Sequence, residues 1–402
     1  MEKKVREETP MAKGDLTLVF GGDTSIGMNC EWMFRGVDPL LRSADLRMVQ
    51  LEEPFSAKET EAAGPDRTTA ALAPLKGRID LVTLSGNHFY DLGEEGVRDT
   101  LDWCRKNGVA ACGGGLTLAE AEKPAFAEKN GLRVGVLAWN AVGPKLSFAS
   151  ETRGGTSYVN FTRAYVPLEE EDPGRLENDV WSLKKPLRPE GEFWGRNFPD
   201  PASLDRMAAQ ISAAKAECDV LIAYFHKGYV HRVAEVADWE RLISHMAVDN
   251  GADTVIGTHS HVLHGLEVYK GRVIYHGLNN FIMYTPQLSP LYKGQVKDTA
   301  TSHNAEWAAK RVERFGFVPD PEYPTYPFHP DSVHCACAKL ILRGGRIAEY
   351  RLVPMLVEKD GAPYVHGCDE KGKATADYLR RITAEAGLNA RLRWDGDELA
   401  IE

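Results

Sequence analysis

Five stretches of the sequence place a metal-capable side chain directly after a short apolar run. The side chains are Asp23, Glu52, the pair Asn87 and His88, His226, and the pair His259 and His261. Carboxylate, amide and imidazole groups without cysteine suit hard to borderline divalent ions such as Mn²⁺, Fe²⁺, Zn²⁺ or Mg²⁺. Two divalent ions held ~3.5–4 Å apart between carboxylates can activate water for hydrolysis. One or two divalent ions are therefore the expected cofactors.

Each of these residues alone also has an ordinary structural explanation. Asp23, after two glycines, could cap a helix, and Glu52 has a neighbouring competitor in Glu53. His226 could be a packed core histidine. The repetition of one arrangement five times along the chain favours ligands over these explanations.

The apolar runs themselves predict the elements that position these side chains. Runs of about five residues bounded by glycine and polar residues are typical of buried strands. Between several of these runs, apolar residues recur at helical spacing, which predicts helices at 94–106, 204–217 and 239–248. The first and last of these stretches end at Asn-Gly pairs. Strand–helix–strand order implies parallel strands, whose carboxyl ends meet at one edge where ligands bind. The five groups are predicted to meet there.

Two long stretches interrupt this pattern, and the chain is predicted to have three parts. Residues 1–14 form a flexible N-terminal segment, 15–356 the main domain, and 357–402 a small C-terminal α/β extension packed on it. The insertions lie at about 143–199 and 284–331. Loops of this length are usually binding loops or lids, or else disordered. The aromatic residues at 317–329 could form a lid that faces the substrate or a loop packed on the surface, and the sequence favours neither.

Composition excludes several classes of protein. The 402 residues are 43% hydrophobic and 26% charged, with a net charge of −10, which excludes a fibre or a mainly disordered chain and argues against a nucleic-acid partner. No apolar run is long enough to span a bilayer, and the polar start of the chain predicts no secretory signal. A cytoplasmic protein is expected, with its seven cysteines reduced. Bound divalent ions would make the opening of the site electropositive on this otherwise acidic surface.

The motifs resemble one family in particular. They are Gly22-Asp23-Thr24-Ser25-Ile26-Gly27, Glu52-Glu53-Pro54, Gly86-Asn87-His88-Phe89-Tyr90-Asp91, His226-Lys227-Gly228, Gly251 through Val262, and Asn280-Phe281. In this order they resemble the calcineurin-like metallophosphoesterase signature, and more closely the CapA family, the poly-γ-glutamate capsule-biosynthesis proteins. The resemblance covers roughly residues 15–356.

The resemblance implies a fold and two metal sites. The fold would be a four-layer α/β/β/α sandwich with metals at the strand ends. Glu52 would bridge the two sites, joined by Asn87, His226 and His259 in one and by Asp23 and His261 in the other. Ser25 stands where the general phosphoesterase pattern has histidine. The second site is therefore expected to be one ligand short, and weaker or empty.

The same resemblance implies a hydrolytic mechanism. A metal-bound hydroxide would attack an anionic phosphoester or a polyglutamate-related substrate. His88 would protonate the leaving oxygen, and Asp91 would hold its ring. His264, His276 and Asn280 are weaker candidates for supporting the ligands or the substrate.

Two other functions stay open at this point. The metals could act on a γ-glutamyl amide bond as hydrolase or transferase, or the chain could be a non-catalytic metal-binding accessory protein for poly-γ-glutamate synthesis or export. The substrate, small molecule or polymer, and the oligomeric state are not fixed, and the family leaves a cell-surface association open. His231 is predicted to be a surface residue, and Cys335 and Cys337 to be strand residues without a metal.

Overall fold

The computed structural model describes residues 14–60, 65–167, 193–285 and 312–402. Nearly all of the predicted N-terminal segment 1–14 lies outside the described residues, as do 168–192 and 286–311 of the two predicted insertions. Every candidate site residue lies within the described ranges.

The described residues form twenty strands and six α-helices. The strands are β1 (Leu16–Ser25), β2 (Leu46–Leu51), β3 (Leu81–Thr83), β4 (Ala110–Cys112), β5 (Gly114–Gly115), β6 (Ala125–Lys129), β7 (Leu132–Asn140), β8 (Gly155–Thr156), β9 (Phe161–Pro167), β10 (Phe193–Pro199), β11 (Val220–Lys227), β12 (Thr254–His259), β13 (His264–Tyr269), β14 (Arg272–Gly277), β15 (Asn280–Met283), β16 (His334–Arg343), β17 (Arg346–Val357), β18 (Pro363–Val365), β19 (Leu392–Asp395) and β20 (Glu398–Ile401). The helices are α1 (Asp38–Ser43), α2 (Gly93–Asn107), α3 (Leu118–Ala121), α4 (Pro201–Lys215), α5 (Asp238–Asp249) and α6 (Glu370–Glu385).

Two sheets carry most of these strands. The first runs β19-β20-β17-β16-β1-β2-β3-β4, with β15 beside β1 and β18 beside β17, and the second runs β13-β14-β12-β11-β7-β6. Strands β1 to β4 are parallel to one another, as are β7, β11, β12 and β14. All eight residues of β11 are buried, because both faces of a parallel strand are covered.

The predicted helices begin and end close to the residues that are typical of helix ends. Asp200 caps α4 by accepting a hydrogen bond from the Ser203 N–H, and Pro201 occupies the first turn, where its missing N–H costs nothing. Gly108 ends α2 in the left-handed conformation, with φ +69°. The three helices predicted before residue 250 are therefore confirmed within a few residues.

The two sheets stack face to face between two helical layers. Leu18 and Phe20 of β1 pack with Tyr224 of β11 in the central core, where the Phe20 and Tyr224 rings stack at 5.6 Å. The outer face of the first sheet packs Val49 against α2, while the outer face of the second packs Phe225 against α4 and α5. The four-layer α/β/β/α sandwich is confirmed.

The C-terminal residues join the first sheet. β20 pairs with β17, and α6 packs against β13 and β17, so it contacts a strand of each sheet. Cys335 and Cys337 are buried in β16, as the strand interpretation predicted, and all seven cysteines are free thiols. The division of the chain at residue 356 stays a prediction.

Candidate metal centre

All six predicted metal ligands lie at the carboxyl ends of parallel strands, where the two sheets face each other. Asp23 lies in β1, and Glu52 and Asn87 follow β2 and β3 of the first sheet. From the second sheet, β11 carries His226, and β12 ends at His259 with His261 two residues on. The elements predicted from sequence thus bring these side chains to one place.

The position of Asp23 depends on the glycine before it. A Cβ atom on Gly22 would lie 1.7 Å from the carbonyl oxygen of Asn279, so any larger residue would push β1 and β15 apart. The Asp23 N–H donates to that same carbonyl at 2.9 Å. Gly22 therefore lets two backbones approach closely and fixes Asp23 in the interior, with 0% exposure.

The first ligand group consists of Glu52, His226 and His259, whose ligand atoms lie within 4.8 Å of one another. His226 Nε2 lies 2.7 Å from Asn87 Oδ1, 3.0 Å from His259 Nδ1 and 3.9 Å from Glu52 Oε1. The His259 backbone has φ +98°, a conformation that non-glycine residues rarely adopt and that persists where the surrounding structure enforces it.

The second ligand group consists of Asp23, Glu52 and His261. His261 Nδ1 lies 4.0 Å from Asp23 Oδ2, and His261 Nε2 lies 3.6 Å from Glu52 Oε1. Asn280 Oδ1 lies 2.7 Å from His261 Nδ1, so Asn280 touches a candidate ligand directly. Glu52 is shared by both groups, which is the arrangement expected of a bridging carboxylate.

The electrostatics of the two groups fit divalent cations. Burial raises the pKa of Asp23 to about 7, and the charge on Glu52 adds to the rise; burial likewise raises the pKa of Glu52 to about 7. Burial, followed by the charges of neighbouring histidines, holds the pKa values of His226 and His259 well below their ordinary value. Buried carboxylates and neutral imidazoles with converging lone pairs are the donor set that a dication satisfies.

A layer of hydrogen bonds behind the ligands orients them. Thr258 donates its hydroxyl to Asp23 Oδ1, and the His259 N–H donates to Asp23 Oδ2 at 2.8 Å. The Tyr224 hydroxyl contacts Thr258 Oγ1 and lies 3.3 Å from His226 Nδ1. Sequence reasoning missed Tyr224, although strand alternation puts it on the same face as His226, two residues away.

The structure brings the predicted pair His88 and Asp91 together. His88 Nδ1 lies 2.8 Å from Asp91 Oδ2, and both side chains are partly exposed, at 46% and 41%. Desolvation disfavours the charged ring, but the hydrogen bond to Asp91 and then the charge on Glu52 outweigh it and raise the pKa of His88 to about 9. These contacts favour the protonated form of the ring.

An arginine that sequence reasoning did not single out lies beside this pair. Arg67 forms an ion pair with Glu53, and its Nη1 lies 3.6 Å from Asp91 Oδ2. Ser25 donates its hydroxyl to Glu53 at 2.7 Å. The serine that replaces the expected histidine thus contacts Glu53, and Glu53 and Asp91 are held by one guanidinium group.

His264 and His276 have partners behind the ligand groups. His276 Nδ1 lies 2.8 Å from Lys227 Nζ and its Nε2 3.0 Å from Glu267 Oε2. His264 Nε2 lies 3.0 Å from the carbonyl oxygen of Arg232. The hydrogen bonds of His276 join it to a buried charged network, and a role toward the substrate stays a prediction for both histidines.

His231 is buried, with 6% exposure, so its expected surface position is wrong. Its ring lies 4.8 Å from Phe317 and 6.1 Å from Phe328, centroid to centroid. Phe328 also lies 5.1 Å from the ring of His261. Part of the aromatic stretch 317–329 therefore covers His231 and contacts the candidate centre, through tertiary packing that the local sequence does not reveal.

The fold is an α/β sandwich, and its candidate site contains two overlapping groups of carboxylate and histidine side chains, each of which could hold a metal ion. Residues 3–285 match the family described as bacterial capsule synthesis protein PGA_cap. The chain belongs to this family.

Among the described residues, no helix combines the length and apolar character needed to cross a membrane.

Curated relatives have low sequence identity to this chain. It is 25% identical over 299 residues to the PGA biosynthesis protein CapA of Bacillus subtilis (strain 168), covering 69% of this chain and 67% of the relative. It is 24% identical over 289 residues to the capsule biosynthesis protein CapA of Bacillus anthracis, covering 66% and 59%. A probable polyglutamine synthesis accessory protein of Mycobacterium tuberculosis (strain ATCC 25618 / H37Rv) is 28% identical over 222 residues, covering 54% and 48%.

Two solved structures resemble the chain only distantly. A hypothetical protein from Thermus thermophilus matches with a TM-score of 0.42 and 14% identity, covering 87% of this chain and 98% of that one. The calcineurin-like phosphoesterase YfkN from Bacillus subtilis matches with a TM-score of 0.36 and 14% identity, covering 92% and 99%.

Proposed function

We propose that this protein is a metal-dependent hydrolase that acts on an anionic phosphoester or a polyglutamate-related substrate. The observation that carries the proposal is the sharing of Glu52 between two ligand groups at the carboxyl ends of the strands. Such a shared carboxylate is the usual feature of centres that hold two divalent ions close together. Glu52, Asn87, His226 and His259 would hold one ion, and Asp23, Glu52 and His261 the other.

The bound ions would lower the pKa of a water molecule and offset negative charge on the substrate. The chain's own residues prepare the site for this. Asp23 accepts two hydrogen bonds, from Thr258 and from the His259 N–H, which orient its carboxylate toward the shared edge. His226 and His259 are kept neutral by burial, and neutral imidazole is the form that binds a metal.

His88 is suited to supply a proton to the leaving group. The hydrogen bond to Asp91 raises its pKa, which favours the charged ring. Asp91 occupies Nδ1, which leaves the Nε2 proton available for donation. The partial exposure of His88 allows a substrate to reach it.

A second candidate function is that of a non-catalytic accessory protein. It is favoured by Ser25, which contacts Glu53 where the general phosphoesterase pattern has a metal-binding histidine. The name of the Mycobacterium tuberculosis relative, a probable polyglutamine synthesis accessory protein, agrees with such a role. In that case metal binding would stabilise the fold without turnover.

The test is metal-dependent turnover by the purified protein. A panel of phosphomonoesters, phosphodiesters and γ-glutamyl peptides is assayed with Mn²⁺, Zn²⁺, Fe²⁺ or Mg²⁺, for the wild type, His226→Ala and the control His366→Ala. The hydrolase proposal expects turnover of a phosphoester or a γ-glutamyl bond that His226→Ala abolishes and His366→Ala retains. Bound metal without turnover of any compound would favour the accessory role.

A further inference from the structure

The end of the aromatic stretch packs around His261, a ligand of the second group. The Phe328 ring lies 5.1 Å from the His261 ring, and the Ser332 hydroxyl donates to the carbonyl oxygen of His261. The His261 backbone has φ +52°, a conformation that residues other than glycine rarely adopt. A segment far along the chain therefore contacts both the ring and the backbone of a candidate ligand.

Tyr326 belongs to this segment, and its hydroxyl group lies between two partners. The side chain is buried, and its Oη lies 3.0 Å from the carbonyl oxygen of Ser332 and 2.7 Å from Asn280 Nδ2. Two oxygens this close hold a hydrogen between them, and a carbonyl oxygen carries none, so the Tyr326 hydroxyl donates to Ser332. Its oxygen accepts from Asn280, and the nitrogen of the Asn280 amide is therefore the atom that faces Tyr326.

The orientation of the Asn280 amide decides which nitrogen of the His261 ring carries the proton. With its nitrogen turned toward Tyr326, Asn280 directs Oδ1 at His261 Nδ1, 2.7 Å away. An amide oxygen only accepts, so Nδ1 is the protonated nitrogen of the neutral ring. The ring lone pair is then on Nε2, which lies 3.6 Å from Glu52 Oε1.

The reversed amide would have the opposite effect. Its N–H groups would face His261 Nδ1, and the ring proton would move to Nε2, where no lone pair would remain for a metal ion. Asn280 is fully buried, so bulk water cannot replace either of its partners. The Tyr326 hydroxyl is thus the group that distinguishes the two orientations of the amide.

We infer that Tyr326 is a positioning residue of the second metal site: through Asn280 it holds His261 in the tautomer whose Nε2 can bind the ion. The inference rests on the proposed function only in taking His261 as a metal ligand. Histidine ligands are commonly oriented by a hydrogen bond to their other ring nitrogen. Here that partner is an amide with two possible orientations, and a tyrosine from the second predicted insertion selects one of them.

The tautomer is read directly from the metal-free protein by nuclear magnetic resonance. Histidine is labelled with the heavy nitrogen isotope, and long-range proton–nitrogen spectra of the full chain are recorded with EDTA at pH 8. The signals of His261 are those lost in His261→Ala. The wild type should carry the ring proton on Nδ1, as should the control Tyr323→Phe, a half-buried tyrosine of the same stretch. In Tyr326→Phe, which keeps the ring and loses the hydroxyl, the form protonated on Nε2 should become a major form.

A double variant separates the orientation of the amide from general packing. Tyr326→Phe combined with Asn280→Asp presents an accepting carboxylate oxygen to His261 Nδ1 in either orientation. A proton on Nδ1 should therefore return, although the tyrosine hydroxyl is still missing. A loss that came only from disturbed packing around Tyr326 would persist in the double variant and would overturn the inference.

The consequence for metal binding is measured by titrating Zn²⁺ against a competing chelator. Tyr326→Phe should weaken about tenfold the binding that His261→Ala removes and leave the remaining binding unchanged. Unchanged Zn²⁺ affinity in Tyr326→Phe, or a His261 that keeps its Nδ1 proton in that variant, would overturn the inference, whether or not the protein is a hydrolase. The expected tautomers and affinities without any metal-dependent turnover would uphold the role of Tyr326 and refute the hydrolase.

Discussion

Acid should destabilise this protein in part through His276. The ring is buried with 0% exposure, and it accepts a hydrogen bond from Lys227 Nζ at 2.8 Å while donating to Glu267 at 3.0 Å. Burial, and then the positive charge of Lys227, lower the pKa of His276 to about 3 from an ordinary value of 6.5. The neutral ring satisfies both partners, whereas a second proton on it would face the Lys227 ammonium group.

The sign and size of the effect follow from proton linkage. Below pH 6.5 the unfolded chain binds a proton at this histidine that the folded chain does not bind, so the free energy of unfolding falls as the pH drops toward 3. Between pH 8 and pH 5 this one group lowers the free energy of unfolding by about 2 kcal/mol. The size of this decrease in the free energy of unfolding depends on the pKa of His276 in the unfolded chain. It hardly depends on the pKa of His276 in the folded protein while that pKa stays below 4.

The perturbation is His276→Gln, because the glutamine amide offers both an acceptor oxygen and donor N–H groups and does not titrate. Urea unfolding of both proteins is measured at pH 8, 7, 6 and 5 with EDTA present, and the variant's free energy of unfolding is subtracted from that of the wild type at each pH. Titrating groups that do not interact with His276 cancel in this difference. The wild type should lose about 2 kcal/mol relative to the variant from pH 8 to pH 5. A difference that stays constant over this range would refute the reasoning.

Three further substitutions have defined outcomes. Arg67→Gln should lower kcat about tenfold, because it loosens the support of His88. Arg67→Lys should recover part of the loss, and the metal content of both variants should be unchanged. An equal loss of kcat in both variants would argue against a charge-based role of Arg67. Gly22→Ala should lower the free energy of unfolding by about 1–3 kcal/mol in urea, because its Cβ would meet a carbonyl oxygen, whereas Gly14→Ala, with its nearest contact at 3.4 Å, should not. Tyr224→Phe should weaken metal binding roughly 10–100-fold in a competitive chelator titration, and unchanged affinity would show that its hydroxyl does not support the ligands.

The strands and the candidate ligands were predictable for a shared reason. A buried parallel strand needs a continuous apolar run, and a polar residue placed at its carboxyl end is conspicuous in the sequence. Asp23, Glu52 and His226 could therefore be located without knowing how the sheets pack. Their closeness in space then followed from the common edge of parallel strands.

Other parts of the centre depend on contacts between residues far apart in the chain. His231 has the sequence surroundings of a surface residue but is covered by Phe317 and Phe328, more than eighty residues later. Arg67 lies in a short 3₁₀ turn of an irregular stretch, where no periodicity indicates its direction. Lys227 is fully buried because of Glu240 and His276, and such partners cannot be deduced from local pattern.

The measurement that tests the central claim most directly is the metal stoichiometry of Glu52→Gln. Protein saturated with Mn²⁺ or Zn²⁺ and freed of excess ion is analysed by mass spectrometry of the elements, for the wild type, Glu52→Gln and His261→Ala. Because Glu52 belongs to both ligand groups, its substitution should reduce binding at both sites, while His261→Ala should leave the first site filled. A Glu52→Gln protein that binds as much metal as the wild type would contradict the shared centre on which the proposed function depends.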